Sequence, residues 1–453
     1  MQSKISLRIS ALAIALLSAG LVQAAVSPEQ AARLNSDLTP MGAERAGNKD
    51  GSIPAWTGGY TTVPAGYKNG DKRADPFAAD KPLFSVTAAN MAQYADQLAD
   101  GTKALLQKYP GYRLDVYPTH RSAAAPQWVY DNTLKNATRA SLEVETEKVS
   151  GAYGGIPFPL PQNGAEVLWN YRLSWQGADT FYSPFDTWLM TAGGKKIQAT
   201  RARFWYQNPY YFKEGSLETF GSKFLIGKLA TELPSSKAGE GLMTHWDMDP
   251  GKRAAWQYLV GQRRVRRAPN IAYDTPDFVT SGVGFFDEAF MVFGPTDRHD
   301  LKLVGKKELL VPYNNNRAAA AKSDDLVKPN FLNPDLVRWE KHRVWVVSAT
   351  LKDGKRHVVP KRTYYVDEDS WQVLLVDGYD AQSKLGRHNY SLTLLAPEMP
   401  ALTAQMSWGS YNLETGAYFL NSSANDLNVQ YQSYPRPPAA FFTPDAMAND
   451  SSR

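Results

Sequence analysis

Apolar and polar residues alternate with a period of two through most of the chain beyond residue 112, in short runs separated by turn residues. This alternation is typical of half-buried β-strands. Many short strands punctuated by glycine and proline predict a mainly β protein, built on a large, strongly curved antiparallel sheet or an unclosed β-barrel. The predicted strands are residues 112–117, 127–130, 137–145, 167–175, 200–206, 262–268, 341–351, 363–366, 371–379, 387–395 and 418–431.

Helical spacing of apolar residues is confined to a few segments. Two N-terminal helices are predicted at about residues 27–38 and 87–109, and helical insertions that would cover the sheet at 221–233, 250–258 and 278–293. Between the N-terminal helices, residues 41–86 are rich in glycine and proline and lack any periodicity. A stretch of this length without elements of its own is expected to wrap over a preformed surface.

The N-terminus has the pattern of a secretory signal peptide. Lys4 and Arg8 precede an apolar run at residues 9–22 that is too short to span a bilayer, and small residues follow it. A retained membrane anchor is the alternative, but no stop-transfer pattern follows. We therefore predict a signal peptide at 1–24, an N-terminal wrapping segment with helices at 25–111, a β-rich core at 112–435 and a flexible tail at 436–453.

The amino-acid composition excludes several kinds of chemistry and of binding partner. The 453 residues include no cysteine, which excludes disulfides, thiolate metal sites, a catalytic thiol and a lipid-modified N-terminal cysteine. A net charge of +5 is too small to predict nucleic-acid binding. Together with the signal peptide, these features predict a periplasmic protein that is not lipid-anchored, with an extracellular destination as the alternative.

Motifs for catalysis and cofactor binding are missing from the sequence. It contains no Gly-x-Ser-x-Gly elbow and no His-Glu-x-x-His pair, and its six histidines have no ligand spacing. Asp367, Glu368 and Asp369 lie between two β runs, where a hairpin turn is the simplest interpretation. We expect no catalytic residue, metal or cofactor. A secreted hydrolase or carbohydrate-active enzyme with dispersed carboxylates is the alternative.

Four arginines crowd one predicted strand, residues 262–268: Arg263, Arg264, Arg266 and Arg267. A strand would place guanidinium groups on both of its faces. One interpretation is cross-strand pairing with carboxylates such as Glu340, Asp367 or Asp377, because an unpaired buried arginine is costly. The other is that one face binds an anionic head group, carboxylate or phosphate.

Aromatic residues also cluster, and the strand period predicts Phe204 and Tyr206 on one face with Trp205 on the other. These rings either pack against ordinary loops and helices or line a cavity for a hydrophobic ligand. The candidate lining residues are Trp169, Trp175, Phe204, Trp205, Tyr206, Trp345 and Trp371.

Four motifs carry a family resemblance: QRRVRRAPNIAYDTP at 262–276, GKKELLVPYN at 305–314, RWEKHRVWVV at 338–347 and YYVDEDSWQVL at 364–374. Through them the chain resembles domain-of-unknown-function family 1329, which in turn is similar to periplasmic carriers that sort outer-membrane lipoproteins. The resemblance implies an unclosed barrel covered by helices, and carriage of a hydrophobic small molecule or lipid rather than catalysis. It also implies service to an envelope transport system, with an inner-membrane transporter and an outer-membrane protein as partners.

Overall fold

The computed structural model describes residues 22–23, 26–268, 272–403 and 407–451, so most of the predicted signal peptide lies outside the described residues. The strands in chain order are β1 Val22–Gln23, β2 Phe84–Val86, β3 Leu114–Val116, β4 Ser141–Glu143, β5 Lys148–Ser150, β6 Thr180–Met190, β7 Lys196–Gln207, β8 Lys223–Leu233, β9 Gly241–Asp247, β10 Ala254–Leu259, β11 Arg264–Arg267, β12 His299–Pro312, β13 Trp339–Leu351, β14 Lys361–Asp367, β15 Val373–Tyr379, β16 Leu385–Ser391, β17 Leu394–Ala396, β18 Ala401–Thr403, β19 Trp408–Asn412, β20 Tyr418–Ser423 and β21 Gln432–Ser433.

Sixteen of these strands form one sheet that does not close. Its main path runs β11-β10-β9-β8-β7-β6-β20-β19-β16-β15-β14-β13-β3-β2, with β12 paired to β13 and β21 to β6. Neighbours are antiparallel except β3 and β13, which are parallel. The prediction of a mainly β, unclosed, barrel-like sheet with helical insertions is therefore confirmed.

Short helices pack on the sheet. They are α1 Pro28–Ala31, α2 Asp100–Lys108, α3 Gln127–Arg139, α4 Gly164–Arg172, α5 Asn316–Ala320, α6 Ser323–Leu326 and α7 Pro444–Ser451. Helix α4 contacts β12 and β13, and α2 contacts β15 and β16. None of the helices in the described parts of the chain is long and apolar enough to cross a membrane.

Several local predictions are wrong. Residues 127–130 and 167–175, predicted as strands, lie largely in α3 and α4, and 137–145 contains the end of α3 before β4. Helix α4 is buried on all sides, so its apolar residues lose the helical period that a one-sided helix shows. Conversely, the helix predicted at 221–233 is mainly strand β8, and most of the one predicted at 250–258 is strand β10. In 278–293 only a 3₁₀ segment, Phe286–Met291, forms.

Both faces of the sheet are covered. On β14, Tyr364 packs into one hydrophobic core and Tyr365 into another on the opposite face. The C-terminal residues form a 3₁₀ turn, Ala439–Phe442, and α7, which contacts β9, β10 and β11. The N-terminal segment is tied to the sheet by Trp371, whose Nε1 donates to the Met41 carbonyl at 2.8 Å. The domain boundaries themselves stay a prediction.

Candidate functional site: a cavity lined by aromatic side chains

A cavity lies between strands β7–β9, helix α4 and residues 290–294, with about 550 Å³ of space between atoms when the part open to solvent is included. We call it the aromatic cavity, because seven of its fifteen lining residues are aromatic. The principal rings are those of Trp169, Tyr171, Tyr206, Trp246, Phe290 and Phe293.

Strand register explains which rings reach this space. Trp205 lies opposite Lys228 on β8, whereas Phe204 lies opposite Leu229 and Tyr206 opposite Gly227. Residues that lie opposite each other on neighbouring strands share a face, and consecutive residues alternate. Phe204 and Tyr206 accordingly pack on one face, which we call the inner face, and Trp205 packs on the outer face against the C-terminal segment. The predicted separation of these rings is confirmed.

A glycine on β8 makes room for the Phe204 ring of the neighbouring strand. A Cβ added to Gly227 would lie 2.9 Å from the Phe204 ring and 3.1 Å from the hydroxyl of Thr244. Both contacts are shorter than ordinary van der Waals distances, so a larger residue here would displace the Phe204 ring.

Three polar atoms that line the cavity have no hydrogen-bond partner. They are Nε1 of Trp169, the hydroxyl of Tyr206 and Nε1 of Trp246, all on side chains at least nine-tenths buried. Burial also raises the pKa of Tyr206 well above its ordinary value, so its hydroxyl stays protonated and can donate. A buried donor without a partner costs roughly 1–3 kcal/mol. Three residues of the cavity lining thus carry a buried donor without a partner among the described residues.

Two arginines line the cavity. Arg172 donates to the Gly294 carbonyl at 2.8 Å and to the Thr296 hydroxyl at 3.1 Å, and Arg253 donates through Nε to the Pro250 carbonyl at 3.0 Å. Neither forms an ion pair with any carboxylate in the described parts of the chain. Burial lowers the pKa of Arg253, and the charge of Arg172 lowers it further, which outweighs the opposite effect of Glu147.

The two carboxylates on the same wall accept hydrogen bonds from groups other than the two arginines. Glu147 accepts from the backbone NH of Thr296 at 3.1 Å and from its hydroxyl. Asp247 accepts from the Ser222 hydroxyl at 3.0 Å and from the Asp249 NH at 2.9 Å. The positive charge of the two arginines is therefore not neutralised by a direct contact.

A more open cleft adjoins the cavity. It has about 650 Å³ of empty space and shares Trp246, Pro250 and Arg253 with the cavity. Arg267, at the end of edge strand β11, lines this cleft. Arg253 thus belongs to the lining of both spaces.

The other predicted arginines lie outside the cavity. Arg263 has a positive φ of 48° at the turn before β11, and all four arginines of the motif are exposed. Their predicted pairing with carboxylates is wrong. Glu340 is paired with Arg338, and Asp377 with His388, while Asp367 accepts from Tyr313 and Ser370.

Of the predicted aromatic residues, some line the cavity and others lie elsewhere. Of the seven, Trp169 and Tyr206 line the aromatic cavity. Trp175 donates to the carbonyls of Met399 and Pro400 at 3.3 and 3.1 Å, so its indole has a structural role. Trp371 is completely buried, and Trp345 stacks on it at 6.2 Å with Lys306 above its other side.

Sequence reasoning missed Arg172, Arg253, Trp246, Phe290 and Phe293. The arginines are isolated in the sequence and no motif marks them. Trp246 was detectable only by its place in the apolar run that forms β9, and Phe290 and Phe293 lie in a segment predicted as a helix.

One group of described side chains could hold a metal ion: His342, Asp367 and Asp369, with one ligand atom each within 4.8 Å of one another. Both oxygens of Asp369 already accept from Arg121, at 2.7 and 2.8 Å. Burial and the neighbouring Asp369 raise the pKa of Asp367, which favours a protonated, neutral form of that carboxyl. Asp369 is therefore already paired with Arg121, and Asp367 in its neutral form brings no negative charge to a metal ion.

The arrangement closest to a hydrolytic triad is Thr102, His388 and Asp377. The Thr102 hydroxyl lies 3.3 Å from His388 Nε2, and His388 Nδ1 lies 2.7 Å from Asp377. All three side chains are completely or almost completely buried. Asp377 also accepts from the NH groups of Asp100 and Gly101, which open α2. This network therefore fastens α2 to the sheet.

The fold and the site define a class: an open, helix-covered β-sheet protein with an aromatic cavity on one face of the sheet. The chain belongs to the family described as protein of unknown function DUF1329, whose model matches residues 85–448. This confirms the predicted family. An uncharacterized protein of Pseudomonas aeruginosa is 36% identical, with 100% of this chain and 99% of that protein covered.

The chain is also similar to three solved structures. A putative outer membrane lipoprotein-sorting protein domain from Vibrio parahaemolyticus has a TM-score of 0.43 at 13% identity, covering 63% of this chain and 98% of that chain. A DUF1329 family protein from Desulfovibrio piger has a TM-score of 0.38 at 13% identity, with coverages of 60% and 92%. A LolA superfamily protein from Nitrosomonas europaea has a TM-score of 0.35 at 10% identity, with coverages of 63% and 100%.

Proposed function

We propose that this protein is a periplasmic carrier that binds a hydrophobic ligand in the aromatic cavity and catalyses no reaction. The observation that carries the proposal is the set of three buried donors without a protein partner, Trp169, Tyr206 and Trp246, in a wall that is rich in aromatic side chains. Binding sites for small molecules typically combine apolar surface with a few convergent polar groups.

The energetics of such a site follow from its composition. Each Å² of apolar surface removed from water contributes about 25 cal/mol, so burial supplies most of the affinity. A carbonyl, ester or similar acceptor would satisfy the indole and phenol donors and so orient the ligand.

The periplasmic part of the proposal is supported by the signal-peptide pattern at residues 1–24. The transport partners that the family resemblance implies, an inner-membrane transporter and an outer-membrane protein, would load and unload the carrier.

The test uses N-phenyl-1-naphthylamine, a neutral apolar dye that fluoresces when it leaves water. We expect saturable binding, with quenching of protein fluorescence because Trp169 and Trp246 line the site. Leu225→Trp, which fills the cavity from β8, should weaken binding about tenfold or more, equivalent to at least about 1.4 kcal/mol.

The matched control is Ile226→Trp, which adds an indole on the neighbouring residue of the same strand, where Ile226 packs with the core of the outer face. It should leave the dye affinity unchanged, and circular dichroism should show that both variants are folded. Absence of dye binding in the wild type, together with absence of any co-purified hydrophobic molecule in native mass spectrometry, would refute the proposal.

A further inference from the structure

The lining of the cavity combines aromatic rings with two arginines that form no ion pair with the described residues. Seven of the lining residues are aromatic, and Arg172 and Arg253 line the same space. Arg253 belongs both to this wall and to the adjoining cleft, which is lined further out by Arg267. A molecule that extends from the cavity into the cleft must therefore pass the Arg253 guanidinium.

The two arginines are held in place without being neutralised. The guanidinium of Arg172 lies 5.0 Å from the Trp169 ring, and that of Arg253 lies 5.5 Å from the Trp246 ring. Their hydrogen bonds to Gly294, Thr296 and Pro250 leave further N–H groups for a ligand, because a guanidinium has five.

The neighbouring acidic groups do not contact the two guanidinium groups, although they keep their negative charges. Glu147 and Asp247, the carboxylates on the cavity wall, accept from Thr296, Ser222 and the Asp249 backbone. Asp297, which is within electrostatic range of Arg253, accepts from the Tyr273 hydroxyl at 2.8 Å. Arg172 lowers the pKa of Arg253 more than either Glu147 or Asp297 raises it, so an anion in contact with both arginines would relieve their repulsion.

We propose that the ligand is an amphiphile with a single anionic head group, a carboxylate or a phosphate, bound at Arg172 and Arg253 with its apolar tail in the aromatic cavity. This inference rests on the proposed function, since it assumes that the cavity is the ligand site. It assigns the head-group site to Arg172, the last residue of α4, and to Arg253, which directly precedes β10. The exposed arginine-rich strand β11 is not part of this site.

The experiment compares molecules with the same chain: dodecanoate and dodecyl phosphate below their critical micelle concentrations, and neutral dodecanol below its solubility limit. Each displaces N-phenyl-1-naphthylamine from the full-length protein. Dodecanoate and dodecyl phosphate should displace it at concentrations about tenfold or more below that of dodecanol, because charge-assisted hydrogen bonds are the strong ones.

Arg253→Met keeps an apolar side chain of similar length and removes the charge. It should abolish most of the preference for the anionic molecules over dodecanol, and Arg253→Lys should restore part of that preference. Arg264→Met is the matched control, because Arg264 is exposed on β11 and lines neither the cavity nor the cleft.

The outcomes separate the two proposals. Equal affinity for dodecanol and the anionic molecules would overturn the head-group inference and leave the hydrophobic site standing. Inorganic phosphate that protects as well as dodecyl phosphate in a thermal-shift assay would also overturn it, because the site would then bind a free anion. If neither the dye nor any of the chain molecules binds, the proposed function itself fails.

Discussion

Arginines in this protein have very different roles that depend on their surroundings. Arg121 is buried and binds both oxygens of Asp369, at 2.7 and 2.8 Å. Arg253 is half-buried between two spaces, whereas Arg264 and Arg266 are exposed on an edge strand. The sequence shows only that four arginines are adjacent at 263–267. It cannot show that their strand lies at the sheet edge, where water solvates them.

Arg264 is expected to contribute little to the stability of the protein. Replacing it with Ala should change the free energy of unfolding by no more than about 0.5 kcal/mol, because an exposed side chain without a protein partner contributes little. Urea denaturation measures this. As a positive control, Arg121→Ala should lose about 3–5 kcal/mol, since it leaves the Asp369 carboxylate buried without its counter-charge. A large loss in Arg264→Ala would show that the arginine motif is structural after all.

At the scale of elements, the cavity depends on the 3₁₀ segment Phe286–Met291, which supplies Phe290. The segment is attached to β14 through Asp287, whose oxygens lie 2.6 and 3.1 Å from the Arg362 guanidinium. His357 Nε2 lies 2.8 Å from the same carboxylate. Burial raises the pKa of Asp287, but Arg362 and His357 outweigh it and keep the pKa below the ordinary value. An ion pair therefore holds one wall of the cavity.

Arg362→Met should destabilise the protein by about 3–5 kcal/mol and weaken dye binding, because Asp287 loses its principal counter-charge and the segment loosens. Thermal unfolding and dye titration measure the two effects. Combining Arg362→Met with Asp287→Asn should cost less than the sum of the single variants, since no buried charge then remains unpaired. Additive losses would show that the two residues do not act as a pair.

Across the whole molecule, stability depends on pH through two kinds of buried group: acids whose pKa is raised and histidines whose pKa is lowered. Burial raises the pKa of Asp277 to about 7, and that of Glu368 also to about 7. Each keeps a proton in the folded state that the unfolded chain has already released, so their contribution to stability falls as pH rises from about 4 to 7. Burial lowers the pKa of His245 and His299 to about 4, and their contribution rises between pH 4 and 6.5. The pH dependence of stability that the two acids contribute therefore opposes that of the two histidines.

Asp277→Asn separates these contributions. Its side-chain oxygen can still accept from the Val279 NH, as Asp277 does at 2.9 Å. The stability of the variant relative to wild type should rise with pH from about 4 to about 7, by up to about 1.4 kcal/mol per pH unit, and level off above. Asp300→Asn, at an exposed position, should show no such trend. Chemical denaturation across pH 4–8 gives both curves; a pH-independent difference for Asp277→Asn would contradict the assignment.

The local errors of sequence interpretation share one physical cause. Helix α4 and strand β8 are covered on several sides, so their apolar residues no longer mark a single face. The period of two or 3.6 that identifies an element exists only where one face meets water. The prediction for β7 succeeded because burial alternates along it: Ala202 and Phe204 are buried, whereas Arg203 between them is exposed.

The sequence by itself determined the predominance of β-structure, the family and the class of an open, helix-covered sheet, because alternation and motifs are local properties of the chain. It also indicated aromatic residues that line a cavity, of which Trp169 and Tyr206 do so. Only the tertiary structure decided that Trp246, Arg172 and Arg253 join them. Those residues are far apart in the chain, and they meet because strands β7–β10 and helix α4 pack around the same space, a relation that no local pattern records.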